Sequence, residues 1–262
     1  MIKNSYLLQY KGFSLVEMAI VLIILGFVMG ALLLPLQAQR NQLAQSQTEN
    51  TLEIARKALL GYAQAKGRLP CPATATSTGL EAPLGGNVAC TSQLGYLPAA
   101  TLGIQPTDAD GFAVDAWNNR IMYAVAQNST TATPANTATP DLTTNNATDS
   151  MSIIGITNLT PELRVCNTAT GITSTACSGG TESNYLINNA VVVIYSLGAT
   201  GSQASGGADE DVNPKVPTNP KSVFVSHNVT ATSAINGEFD HMVTWISPYV
   251  LYNAMIEAGQ LH

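Results

Sequence analysis

Charge is scarce in this 262-residue chain: Asp, Glu, Lys and Arg make up 11% of it. The 11 basic residues are outnumbered by 17 acidic ones, giving a net charge of −6 with no cluster of Lys and Arg. Neutralising phosphates takes such clusters, so the balance argues against a nucleic-acid partner. Histidine is nearly absent, at His227, His241 and His262. No G-x-S-x-G elbow, H-E-x-x-H pair, G-x-G-x-x-G turn or phosphate loop occurs. His241 follows Asp240 in a strand-like run, where neighbouring side chains point to opposite faces, so the two are poorly placed as a catalytic pair. An enzyme, such as an anchored hydrolase, would need Ser, Asp and His to converge from distant segments, and nothing points to that. What the chain does have is an ordinary 45% of hydrophobic residues, enough to exclude wholesale disorder. Its length suits one or two domains at ~150 residues each.

Much of that hydrophobicity lies in one run, Phe13 to Leu36, which contains one charge, Glu17, and one hydroxyl, Ser14. As a helix this run would extend about 36 Å, enough for a hydrocarbon core of ~30 Å. The residues ahead of it carry Lys3 and Lys11 and no acid. A positive flank stays in the cytoplasm, so the rest of the chain is expected on the far side. A secretory signal or a plain anchor is the simpler reading. However, the run is too long for a signal core, and no A-x-A cleavage site follows it. Glu17 also resists that reading, because a carboxylate inside a spanning helix costs about 2.5–3.5 kcal/mol on insertion scales.

Lys11-Gly12 followed by Phe13-Ser14-Leu15-Val16-Glu17 and the unbroken apolar run resembles the leader and mature N-terminus of type IV prepilins and pseudopilins. Gly26 and Pro35 fall near places where helices of that family also carry Gly and Pro. The resemblance implies that a membrane-embedded prepilin peptidase cuts between Gly12 and Phe13 and methylates Phe13, so this chain is the substrate. It also gives Glu17 a role in assembly, attracting the N-terminal amine of a neighbouring subunit as it enters a filament. Opposite charges at ~4 Å in a low-dielectric setting attract by several kcal/mol, and pairing relieves the cost of leaving each alone. Loss of the leader removes two positive charges, Lys3 and Lys11.

Beyond Leu36 the sequence is polar and rich in good helix formers until Pro70 and Pro72. Leu43, Ile54, Ala58, Leu59 and Tyr62 approximate one helical face, which predicts a single long helix from about Ser14 to Lys66 with a bend at Pro35. Strands are expected at Arg120–Gln127, Met151–Thr157, Ala190–Ser196, Ser222–Ser226 and His241–Ile246, and a closing helix at Pro248–Gly259. The Thr/Ala/Pro-rich stretch Ser129–Ser150 has no packable pattern and reads as a surface loop. Four cysteines allow three pairings. Joining sequence neighbours, Cys71 with Cys90 and Cys166 with Cys177, is preferred. A zinc site would call for C-x₂₋₄-C spacing, which neither pair has, and an extracytoplasmic domain keeps its disulfides.

Two further stretches resemble the major pseudopilin of type II secretion. Asp115-Ala116-Trp117-Asn118-Asn119-Arg120 with Tyr123 resembles its D-P-W-G-N-x-x-x-Y stretch, with Ala116 and Asn118 in place of Pro and Gly. Tyr195–Asp211 resembles its calcium loop, with Thr200 where the family has an aspartate. Calcium takes six to eight hard oxygen ligands. Asp209 and Asp211 are the carboxylates available, and Leu197 is a candidate through its carbonyl.

These readings predict an α+β, pilin-like chain: a long N-terminal helix packed on a small antiparallel sheet domain with long loops. The expected divisions are a leader at 1–12, a transmembrane and assembly helix at 13–36, an amphipathic continuation at 37–69 and a periplasmic domain at 70–262. The expected function is a structural subunit, minor rather than major, of a pilus or pseudopilus in the inner membrane. Its partners would be the prepilin peptidase, other pilins and the assembly platform. The alternatives are a calcium-binding major pseudopilin and an anchored periplasmic binding module or adhesin.

Overall fold

The computed structural model describes residues 12, 14–126, 142–146, 150–177, 184–203, 206–217 and 221–261, without the side chains of helix residues 31–38. The chain divides into two compact units, Met1–Leu43 and Ala44–His262. Helix α1 runs Leu15–Lys66. It stops where Gly67 takes φ +69°, donating its N–H to the Ala63 carbonyl at 2.8 Å. A left-handed residue of this kind commonly closes a helix and favours glycine. Among the described residues no helix is long and apolar enough to cross a membrane. That differs from the spanning segment expected at 13–36. The apolar side chains described before residue 31 begin at Leu15, a stretch of about 24 Å against a core of ~30 Å.

The part of α1 within the second unit buries Leu52, Ala55, Leu59 and Ala63, spaced three and four apart on one stripe. The expected face was wrong in part. Leu43 and Ile54 are exposed, and Ala58 and Tyr62 are half-buried at the stripe's edge. Two alanines on the stripe leave room for close approach to the core beside Leu52 and Leu59, and Leu43 and Ile54 fall outside it.

The remaining elements are β1 (Leu94–Tyr96), α2 (Ala99–Leu102), β2 (Met122–Val125), α3 (Met151–Ile154), β3 (Leu163–Cys166), β4 (Tyr185–Ala190), β5 (Val192–Ser196), α4 (Ala208–Val212), β6 (Val223–Val225), β7 (Met242–Ile246) and α5 (Pro248–Glu257). A four-stranded antiparallel sheet has the order β1-β2-β5-β7. A second sheet, β4-β3-β6, is mixed, with β3 and β6 parallel. The expectation of antiparallel sheet holds for the first and fails for the β3–β6 pair. Strands β2 and β5 are buried at every residue, consistent with the continuous apolar run around Val192. One core joins the α1 stripe to residues of both sheets and to Leu251, Tyr252 and Met255 of α5.

The strand expected at Met151–Thr157 is instead the short helix α3 followed by a 3-10 turn, Ile156–Asn158. The Ser150 hydroxyl caps α3 by accepting from the Ile153 N–H, and Gly155 at φ +77° breaks it. Most of the stretch 129–150 lies outside the described residues. Its tail does not behave as a surface loop: Leu142, Thr143 and Thr144 are buried, and the Leu142 carbonyl accepts from the Leu69 N–H. The cysteines pair as Cys71–Cys90 and Cys166–Cys177, with Cα separations of 5.3 and 5.4 Å.

Candidate functional site

The first site lies at the start of the chain. Phe13 and the leader up to residue 11 lie outside the described residues. Gly12 is exposed, with open space around its α-carbon. Glu17 occupies the first turn of α1, where unpaired backbone N–H groups and the helix dipole favour a negative side chain. The large apolar side chains from Leu15 to Met29 are all exposed. This is an apolar helix with one acid near its N-terminal end and its described large apolar side chains exposed.

The second site gathers three segments of the second unit. The turn Asp115–Arg120 is built on the Asp115 carboxylate. It accepts the N–H groups of Trp117 at 2.9 Å and Asn119 at 2.8 Å, and the Ser196 hydroxyl at 2.6 Å. Asn118 takes φ +68°. The left-handed turn is thus kept where the resembling pattern has glycine, because asparagine tolerates that region better than most residues. The Asn119 amide donates to the Gly198 carbonyl at 2.7 Å, tying this turn to the end of β5.

Beyond β5, the residues expected to bind calcium separate. Leu197 is buried. Asp209 is buried and accepts from the Ala169 N–H and, at 3.1 Å, from the Asn236 amide, and it faces His227 Nε2 at 3.1 Å. Asp211 is exposed. Both sit on α4, where residues two apart point about 200° apart, so their carboxylates cannot share one ion.

The residue between them is the one that turns inward. Glu210 is fully buried, and its carboxylate accepts the Asp240 N–H at 2.9 Å. The Thr200 hydroxyl lies 2.9 Å from Asp240 Oδ1 and 3.3 Å from Glu210 Oε1, and the Thr200 N–H donates to Asp240 Oδ2 at 2.8 Å. Burial, with the Asp240 charge beside it, pushes the Glu210 carboxyl above its ordinary value. A ring nitrogen of His241 completes a group of three whose ligand atoms all lie within 4.8 Å of one another. Burial lowers His241 to about 4, so it is neutral at pH 7. This set could hold a divalent cation. It supplies two carboxylates and a hydroxyl, three of the six to eight oxygens calcium takes. Glu210 lies outside the ligand set expected from the sequence, which was Leu197, Asp209 and Asp211. The available signal was Asp209-Glu210-Asp211 on one helical turn, in which the middle residue faces away from its neighbours.

No curated protein and no solved structure matches the chain. Over residues 8–33 the chain carries the prokaryotic N-terminal methylation motif, the prepilin-type signal of type IV pilins and pseudopilins, which implies processing by a prepilin peptidase and assembly with other pilin-type subunits.

Proposed function

We propose that the chain is a structural subunit, and a minor one, of a type IV pilus or type II secretion pseudopilus. Prepilin peptidase cleaves it between Gly12 and Phe13 and methylates Phe13. Residues 13–36 hold it in the inner membrane and then in the filament, in contact with the assembly platform, while the rest lies in the periplasm. The observation that carries this reading is the methylation motif at residues 8–33, with Glu17 in the first turn of an apolar helix. The large domain supports a minor subunit, because a small repeating unit has no need of one. Intact mass and N-terminal sequence of the membrane-extracted chain, made with and without a prepilin peptidase, test it. A start at methyl-Phe13 only when the peptidase is present is expected. Retention of Met1 in both cases sinks the reading. In sheared filaments a minor subunit is scarce relative to the major one.

A second reading, a calcium-dependent subunit, is favoured by the convergence of Glu210, Asp240 and Thr200. It predicts that millimolar calcium raises the melting temperature of the wild-type chain and not that of Glu210→Gln. An unchanged wild-type melting temperature with calcium or chelator removes it.

A further inference from the structure

The four-stranded sheet ends at β1 on one side and at β7 on the other, and the two edges are finished differently. Across the β1–β2 pair the Leu97 N–H donates to the Ile121 carbonyl, and the Val125 N–H to the Gln93 carbonyl. In an antiparallel strand alternate residues turn their backbone groups the same way, so Leu94 and Tyr96 face outward. Both are met by the chain itself. The Ser92 hydroxyl donates to the Leu94 carbonyl at 2.8 Å and accepts the Leu94 N–H at 3.3 Å. Ala73 exchanges both backbone bonds with Tyr96 at 2.9 Å. In the second sheet the Asn213 amide does the same for Val225 of β6, with two bonds of 2.8 Å.

The same alternation, carried through the register, sets the edge at β7. Met122 and Ala124 face β5, so Val193 and Tyr195 face β2 and Val192, Ile194 and Ser196 face β7. Their partners Ile246, Thr244 and Met242 face back toward β5. Val243 and Trp245 are left with N–H and C=O on the outer side, and no group among the described residues bonds to them there. Met242–Ile246 contains no charge, proline or glycine, the usual guards of an exposed edge. An open cavity of about 360 Å³ lies against Val243, walled by Leu52 and Glu49 of α1 and by Val229. Glu49 is exposed and joins no ion pair among the described residues, whereas Glu53 is held by Arg56 and Lys57.

A ligand that fits this edge needs donors and acceptors at strand spacing, apolar side chains for Val243 and Val229, and a cation for Glu49. An extended peptide supplies the first, because its paired N–H and C=O groups recur at every second residue. The β7 of a second copy carries no cation, and that copy adds more acid to a chain of net charge −6. We propose that the free edge of β7 binds an extended segment of another protein by strand addition. The N–H and C=O of Val243 and Trp245 pair with its backbone, and a Lys or Arg of the segment sits on Glu49.

The test is fluorescence anisotropy of the labelled heptapeptide KVTVTVK, titrated with the full chain in a non-ionic detergent. Saturable binding below ~1 mM is expected. Alternate residues of an added strand face β7 and the others face solvent. N-methylation of the three valines and of the two threonines should therefore differ: one set weakens binding at least about tenfold, and the other leaves it unchanged. Val243→Pro removes an outward donor without touching a bond to β5. It should weaken binding about tenfold with the circular dichroism spectrum unchanged, and Glu49→Gln, an exposed change, about threefold. The methylated peptides need no variant, so they decide the matter where Val243→Pro fails to fold. Absence of binding at ~1 mM overturns the proposal. So do equal effects of the two methylations, or self-association of the chain that Val243→Pro abolishes, which would give the edge to a second copy.

Discussion

Arg68 and Glu81 form a buried, two-pronged ion pair at 2.7 and 2.8 Å, with the Tyr62 hydroxyl 2.7 Å from the guanidinium. Glu81 also accepts the N–H groups of Cys71 and Gly85. Both side chains are 4% exposed, so each charge depends on the other. Burial alone would raise the Glu81 carboxyl, but the Arg68 hydrogen bonds and charge outweigh it and hold the group below its ordinary value of 4.5. A carboxyl lowered on folding stabilises the fold above its unfolded value, and that stabilisation is lost as pH falls through the folded value. Glu81→Gln should therefore cost about 3–5 kcal/mol at pH 7, because it leaves a buried guanidinium unpaired. In urea melts the gap to wild type should narrow below about pH 4. A gap that is constant from pH 7 to pH 3 would show that the ion pair is not its source. Asn118 offers a second test at this scale. Asn118→Gly should be neutral or slightly stabilising, whereas Asn118→Val should cost about 1–2 kcal/mol, because a β-branched residue is strained at positive φ. Equal melting temperatures for the two variants would mean that the turn relaxes out of the left-handed region.

Helix α1 meets the core through a narrow stripe, so its residues should differ sharply in what they contribute. Leu59 is fully buried on the stripe and Ile54 is 42% exposed beside it. Leu59→Ala should cost about 2–5 kcal/mol by opening a cavity, and Ile54→Ala well under 1 kcal/mol. Comparable losses in chemical denaturation would place the stripe elsewhere. The same helix shows what the sequence could and could not reveal. Its length was legible from a run of helix formers ended by Pro70 and Pro72. Its buried face was not, because periodicity favours large apolar residues and the stripe uses Ala55 and Ala63. Strand β5 was legible as an apolar run. Strands β1, β3 and β4 were missed: Gly95 weakens the pattern of β1, β3 is only four residues long with Arg164 in it, and Asn188 and Asn189 weaken the pattern of β4. Met151–Thr157 has a strand-like composition and was overridden by the Ser150 cap and Gly155. Among the candidate site residues, Gly12, Phe13 and Glu17 lie within one contiguous motif at residues 8–33. Thr200, Glu210 and Asp240 come from three segments that only the fold brings together.

In the proposed function the molecule separates what folds from what assembles. The described side chains buried along α1 begin at Thr48, whose hydroxyl accepts the Ala116 N–H at 3.2 Å. The large apolar residues from Leu15 to Met29 are exposed and contribute no burial to the core. Exposed apolar surface on that scale marks a surface meant for another partner rather than for the chain itself. A chain lacking residues 1–43 should therefore fold without detergent, with both disulfides formed. Its thermal transition should lie within about 3 °C of the full chain's, a shift of about 1 kcal/mol for a domain of this size. Glu17→Ala in the full chain should leave that transition unchanged and reduce incorporation into filaments, because the charge sits where the fold does not use it. A truncated chain that melts without cooperativity, or a Glu17→Ala chain that loses thermal stability, would show that the N-terminal helix belongs to the folding unit. The division between folding and assembly would then fail.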